Sequence, residues 1–167
     1  MSFVVPQKIF TMKNTKPLSK IMMMPGRLLV AVQFLLIALL IWPWKAPVFV
    51  VPAIVMALPA VVFGLWILKH NRPGNFNIRP DVKPGAQLVV DGPYALVRHP
   101  MYVAVLWLGL CAVLLYASAA TLLLWLLLGW VLDRKAVLEE RYLLAHFPEY
   151  AAYADKVGRF LPKRVPD

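Results

Sequence analysis

Acidic residues are scarce in this chain, eight Asp and Glu against eighteen Lys and Arg, and cysteine is almost absent. Neither sign of charge occurs between Met101 and Leu132. Each shortage excludes something. A single cysteine, Cys111, rules out a disulfide framework and a cysteine-rich metal site, and its place inside an apolar run makes it a packing residue. Charged residues are 16% of the chain and hydrophobic ones 61%, whereas roughly a quarter and a half are usual in soluble domains. That balance excludes an ordinary water-soluble domain and points to a membrane protein. The formal net charge of +10 does not point to nucleic acid, because the basic residues flank apolar runs instead of gathering on one module with interleaved aromatics. With 167 residues there is room for one domain, so any pocket must be built from a few helices and their loops.

What is present is a series of apolar runs. The first, Leu28 to Trp44, is interrupted by one polar residue, Gln33, and ends in Trp42, Trp44 and Lys45, residues that favour a membrane interface. The second, Ala46 to Leu68, holds Pro47, Pro52 and Pro59, which are tolerated where neighbouring helices satisfy the freed carbonyls. Residues 28–68 are therefore expected to form a tight transmembrane hairpin. Residues 69–100 are rich in Gly, Pro, Asn and charge and read as an aqueous loop. The run 101–132 would span about 48 Å as one straight helix, well beyond the ~30 Å hydrocarbon core, so it reads as two spans reversing at Tyr116–Ala120. Gly64, Gly109, Ala119 and Gly129 would let helices approach closely. Residues 133–167 read as a helical, then basic, segment.

Lys and Arg number five before the first run, one between the first two, five in the central loop, none at the second reversal and seven after the last run. The positive-inside rule then places both termini and the central loop in the cytosol. No small-residue cleavage site follows the basic segment 1–27, which is expected to stay as a cytosolic tail on anionic lipid. A bacterial inner membrane fits these features. The fold class expected is all-α integral membrane, with about four transmembrane helices and a cytosolic C-terminal helix covering the last hairpin.

Two polar constellations stand at the edges of the run 101–132. In "DGPYALVRHPMY", residues 91–102, Pro93 and Pro100 each suit the first position of a helix, with His99 at the break between them. Arg98 and His99 beside a helix N-terminus would make an anion site at the membrane surface, or simply anchor and cap the helix. After the run, Glu139 and Glu140 are about 100° apart on a helix, so one of them is expected to face a pocket. The plain alternative is a solvated face on which Lys135 and Glu139 make a weak surface pair. Pro148 and Glu149 read as a helix start, Tyr150, Tyr153 and Val157 share a face, and Gly158 ends the helix.

Together "GPYALVRHPMY", residues 92–102, an apolar hairpin, and "LEERYLLAHFPEYAAYADKVGRFLP", residues 138–162, resemble the C-terminal core of a superfamily of integral membrane enzymes, the isoprenylcysteine carboxyl methyltransferases and phospholipid methyltransferases. The resemblance covers roughly residues 76–162. It implies an S-adenosylmethionine pocket between the last hairpin and the C-terminal helix, bound by Gly92, Tyr94, His99, Pro100, Tyr102, Glu139, Glu140, Tyr150, Tyr153 and Arg159, to which Arg98 is added as a cation for the cofactor's carboxylate. Where the family has Phe-Gly this chain has Phe147-Pro148. Such a cofactor needs a cation for its carboxylate, a carboxylate for its ammonium or ribose hydroxyls, and an aromatic bed for adenine, and these residues offer all three.

Methyl transfer is an in-line displacement that needs positioning and a dry site and no metal. Arg134 or Arg141 could orient an anionic acceptor, and Glu140 or His99 could serve as base for an amine. The expected partners are the lipid bilayer and a small or lipophilic methyl acceptor, with no nucleic acid. The alternatives are a membrane reductase of sterol-reductase type using NADPH, which shares an "RHP" region, and a non-enzymatic scaffold.

Overall fold

The computed structural model describes residues 26–43, 45–71 and 87–163. The basic segment before residue 26, Trp44 and most of the central loop lie outside the described residues. Among the described residues the regular elements are all helices: α1 (Gly26–Ile41), α2 (Val50–His70), α3 (Pro93–Leu96), α4 (Pro100–Tyr116), α5 (Ala119–His146) and α6 (Tyr150–Lys156). Of these, α2 is long and apolar enough to cross a membrane by itself, while α1 and α4 are shorter apolar helices of 16 and 17 residues.

The reversal within residues 101–132 falls where the small and polar residues stand. Ala117 takes the left-handed conformation at the end of α4, and the Ser118 side chain caps α5 by accepting from the Ala120 N–H at 3.3 Å. The connection between α1 and α2 lies at the same end of the bundle. There the Val48 N–H donates to the Leu115 carbonyl at 2.7 Å, and the Lys45 ammonium donates to the Ala117 carbonyl at 3.4 Å. Both reversals are thus at one end, which leaves residues 87–100 and the charged half of α5 together at the other.

The core joins Leu29, Leu36 and Leu40 of α1, Tyr102 of α4, and Leu128, Val131, Leu132 and Ala136 of α5. On α1 and α5 these positions recur at helical spacing and so form one stripe on each. The α2 helix meets α4 along Ala53, Ala60 and Ile67, seven residues apart, where the two alanines permit close approach. Its remaining surface is apolar and uncovered, with Val51, Val62 and Leu65 exposed by 70, 66 and 60%. A water-soluble protein would bury that surface; a bilayer covers it.

Three expectations are corrected. The first two helices follow one another but do not pack together: α1 lies on α5 and α4, and α2 lies on α4. Apart from Gln33 of α1, both helices are apolar almost all round, so their sequences say little about which neighbour each would choose. The segment beginning at Asp133 is not separate from the second apolar hairpin, because α5 runs without a break from Ala119 to His146. Among the small residues, Gly109 does admit a neighbour, since a Cβ there would lie 2.9 Å from the Trp125 ring, whereas Gly64 faces open space.

After His146 the helix ends at Phe147, and Pro148 begins the turn into α6. The chain then returns to the segment that precedes α4. Val97 and Gly158 form an isolated parallel bridge, the Arg98 N–H donates to the Gly158 carbonyl at 2.8 Å, and the His99 N–H donates to the Arg159 carbonyl at 3.1 Å. Gly158 is required at this strap: a Cβ would lie 1.9 Å from the Leu161 carbonyl oxygen.

Candidate functional site

Pro93 and Pro100 open α3 and α4, as their fixed φ favours, and between them Val97, Arg98 and His99 are extended or irregular. Proline at 100 keeps His99 out of helical geometry, so its ring turns into the bundle end and is buried. There it meets α5. The His99 Nε2 lies 3.1 Å from Glu140 Oε1, and Nδ1 lies 3.5 Å from Glu139 Oε2. Adjacent glutamates about 100° apart on a helix were expected to diverge; instead the imidazole sits between them and both carboxylates reach it.

Glu140 is the centre of the cluster. Its Oε1 accepts from Arg98 Nε at 3.2 Å, Arg98 Nη2 at 3.0 Å and Arg159 Nε at 3.0 Å, and its Oε2 accepts from Arg159 Nη2 at 2.7 Å. Arg159 Nη1 also donates to Asp133 at 2.9 Å. Burial by itself opposes ionisation of Glu140, but His99, Arg159 and Arg98 outweigh it and hold the carboxyl well below the usual carboxylate range. Burial likewise opposes a charged His99, and the two glutamates outweigh it, so the imidazole is raised above its ordinary value. The Glu140 and Asp133 carboxylates in turn raise the Arg159 guanidinium against the effect of burial.

Arg98 also donates through Nη1 to the carbonyls of Ala154 at 2.7 Å and Val157 at 2.9 Å, capping the end of α6. Tyr102 stacks on His99, ring centres 5.3 Å apart, and donates its hydroxyl to Glu139 at 2.5 Å. Phe160 of the strap packs on both rings. The Tyr153 hydroxyl donates to the Tyr94 carbonyl at 2.6 Å, and the buried Tyr150 hydroxyl has no partner among the described residues.

The structure therefore brings together Arg98, His99, Tyr102, Glu139, Glu140 and Arg159, with Tyr94, Tyr150 and Tyr153 beside them and Pro100 buried as the hinge of the motif. Gly92 caps α3 at φ +57°, with the His70 ring so close that a Cβ would lie 2.5 Å from it. Arg134 stands apart, its guanidinium over the Trp130 ring, and Arg141 is exposed one face away from Glu140.

Sequence reasoning missed Asp133, Phe160 and the true setting of Lys135. Lys135 does not form a surface pair: it is 2% exposed and donates to Gln33 Oε1 of α1 at 3.1 Å. The single polar residue in the first apolar run, Gln33, was the available signal for that contact. Among the described residues no three His, Cys, Asp or Glu stand together as a metal-ligand group.

This arrangement can be set beside known proteins. The cobalt-zinc-cadmium resistance protein CzcN of Cupriavidus metallidurans is 38% identical over 78 residues, which is 46% of this chain and 36% of that protein. The nickel-cobalt-cadmium resistance protein NccN of Alcaligenes xylosoxydans xylosoxydans is 32% identical over 83 residues, 48% of this chain and 38% of that protein. The matched segment thus spans little more than a third of either relative. No solved structure matches. The profile of the isoprenylcysteine carboxyl methyltransferase (ICMT) family matches residues 53–146, from α2 through the end of α5 and across both halves of the cluster. With more than half of its length matched, the chain belongs to the ICMT family of membrane methyltransferases.

Proposed function

We propose that this protein transfers a methyl group from S-adenosylmethionine to a small or lipophilic acceptor at the cytosolic face of a bacterial inner membrane, through a four-span fold with both termini cytosolic. The Lys and Arg distribution supports the orientation, and the placement of both helix reversals at the end opposite the cluster supports the four spans. The observation that carries the reading is His99 held between Glu139 and Glu140, which joins the two motifs of the methyltransferase resemblance in one site.

The residues suit the cofactor. Arg159 uses three of its five N–H donors on Glu140 and Asp133 and is 31% exposed in its side chain, so it has donors left for a ligand carboxylate. Arg98, which the sequence suggested for that role, already spends four donors on Glu140 and the end of α6. Glu139 would take the ammonium or ribose hydroxyls, Tyr94 and Tyr153 the adenine, and the partnerless Tyr150 hydroxyl a polar atom of the ligand. When bound, S-adenosylmethionine supplies an electrophilic methyl on its sulfonium.

The chain's own part is to orient and to exclude water. Glu140 is held ionised by His99, Arg159 and Arg98 and is a poor base, and against the effect of burial the two glutamates favour the protonated form of His99. An acceptor that arrives already nucleophilic, a carboxylate or thiolate, suits this site better than an ammonium that must lose a proton. Arg134 stands apart from the cluster over the Trp130 ring, but its buried Nε lacks a partner, and it would orient such an anion on its approach to the site. The names of the two relatives, which share cobalt and cadmium resistance, suggest that the methyl transfer serves resistance to such metals.

Calorimetry of S-adenosylhomocysteine with the detergent-purified protein tests the reading, with NADPH as control. Saturable binding that Glu139→Gln and Arg159→Met each weaken at least tenfold is expected. Binding of NADPH in its place would move the protein to the reductase class, and binding of neither to a folded sample would leave a scaffold.

A further inference from the structure

The cluster does not end where the family match ends. Lys135 lies on α5 one turn before Glu139, is 2% exposed, and has no ion-pair partner among the described residues. Its ammonium sits 5.1 Å from the centre of the Tyr102 ring and donates to Gln33, itself 8% exposed, on α1. A buried cation with no carboxylate in ion-pair contact is costly, and in a membrane bundle such a group is retained for a task. Packing alone would be better served by methionine or leucine at this position.

The connections show what the task would be. A cation over an aromatic ring is drawn to its face, and it makes the phenol a stronger hydrogen-bond donor. The phenol here is Tyr102, and its hydroxyl donates to Glu139, whose negative charge, outside ion-pair contact, partly offsets the burial that opposes the Lys135 ammonium. Of the two glutamates, Glu140 is saturated by Arg98, Arg159 and His99, whereas Glu139 keeps acceptor capacity. Gln33 holds the ammonium from the α1 side, so the series Gln33, Lys135, Tyr102, Glu139 links α1 to the carboxylate assigned to the cofactor.

We infer that Lys135 is a positioning residue for the Tyr102–Glu139 pair and that Gln33 sets its place, so that α1, outside the matched segment 53–146, is a working part of the cofactor site. The inference rests on the proposed cofactor reading and extends it to two residues and one helix. It predicts that charge at position 135 matters for ligand affinity beyond its effect on folding.

The test is calorimetric binding of S-adenosylhomocysteine to the full chain in detergent, for the wild type, Lys135→Met, Lys135→Arg, Gln33→Leu and the double variant Gln33→Leu/Lys135→Met. Lys135→Met should weaken binding about tenfold or more, Lys135→Arg should recover most of it, and Gln33→Leu should weaken it roughly threefold. The double variant should bind no worse than Lys135→Met, because Gln33 acts through Lys135. Gln33→Leu removes no charge and is expected to fold, so the coupling stays measurable if Lys135→Met proves unstable: Gln33→Leu should then still weaken binding. Wild-type affinity in folded Lys135→Met or in Gln33→Leu overturns the inference while the cofactor reading stands. Equal losses in the methionine and arginine variants, or multiplying effects in the double variant, also overturn it. Failure of the wild type to bind removes both.

Discussion

The two ends of the helical bundle are held in opposite ways. At the reversal end, the chain turns with one serine cap, one left-handed alanine and a few backbone contacts, and Lys45 is the single basic residue between Trp42 and Tyr116 outside the central loop. At the other end, seven side chains from the segment before α4, from α4, from α5 and from the strap are tied through Glu139 and Glu140. Buried ion networks of this kind are poor investments in stability, since well-packed apolar residues do as well or better. The difference teaches that one end of the molecule is built only to fold and the other to hold charge in a fixed place. Substitutions at the two ends should therefore differ in both size and kind.

The largest effect is expected for Glu140→Gln. It leaves Arg98, His99 and Arg159 grouped around a neutral amide, and breaking such a buried pair costs about 3–5 kcal/mol. Thermal unfolding in detergent should show a large drop in midpoint, and limited proteolysis should cut the strap after His146 first. An unchanged midpoint would mean that the cluster is not the anchor of this end.

Next in size is the pH dependence of stability. Glu140 has a lowered folded value, so its contribution is complete above the unfolded value of about 4.5 and is lost as the pH falls toward the folded one. His99 has a raised folded value, so its contribution is complete below about 6.5 and is lost as the pH rises through the folded value. Stability should be greatest between roughly pH 4.5 and 6.5, falling on both sides, and Glu140→Gln should flatten the acid side. A wild-type midpoint indifferent to pH from 4 to 9 would contradict the charge assignments.

Gly92→Ala should act more locally. Its backbone lies in a region that side chains rarely adopt, and a methyl would press on the His70 ring, which also pairs with Asp91 at 3.0 Å. A cost of about 1–3 kcal/mol is expected. Loss of the His70 contact should appear as faster hydrogen exchange in residues 87–96, with the amides near Ala117 unaffected.

Much of this polar end was legible in the sequence, because its residues break apolar runs. The two prolines fix the starts of α3 and α4, the reversal near Tyr116–Ala120 follows from length, and His99, Glu139 and Glu140 stand out by type. Partner choice was not legible. Nothing in "RHP" says that Arg98 would turn back to cap α6, since the accepting carbonyls of Ala154 and Val157 belong to every residue alike. Lys135 looked solvated because its partner Gln33 lies 102 positions away. The separation of α1, which packs on α5 and α4, from α2, which packs on α4, was hidden for the reason that makes both suitable for a bilayer: apart from Gln33, both are apolar almost all round.

The smallest expected effect lies at the reversal end and has the opposite sign. Ala117 holds φ 45° and ψ 54°, a left-handed conformation that costs an L-residue roughly 1–2 kcal/mol and that glycine adopts freely. Glycine also has more freedom to lose on folding, which returns about 0.5–1 kcal/mol of that advantage. Ala117→Gly should therefore stabilise the protein by about 0.5–1 kcal/mol. The substitution keeps the backbone contacts of this turn, including the carbonyl that accepts from Lys45 and the N–H that donates to Val113. Affinity for S-adenosylhomocysteine should stay the same, because nothing at this end reaches the cluster. A gain in midpoint with unchanged affinity would establish that the two ends can be altered independently; a loss of affinity would mean that the turn sets the position of α4, and with it His99 and Tyr102, so that folding and ligand binding are not divided between the ends.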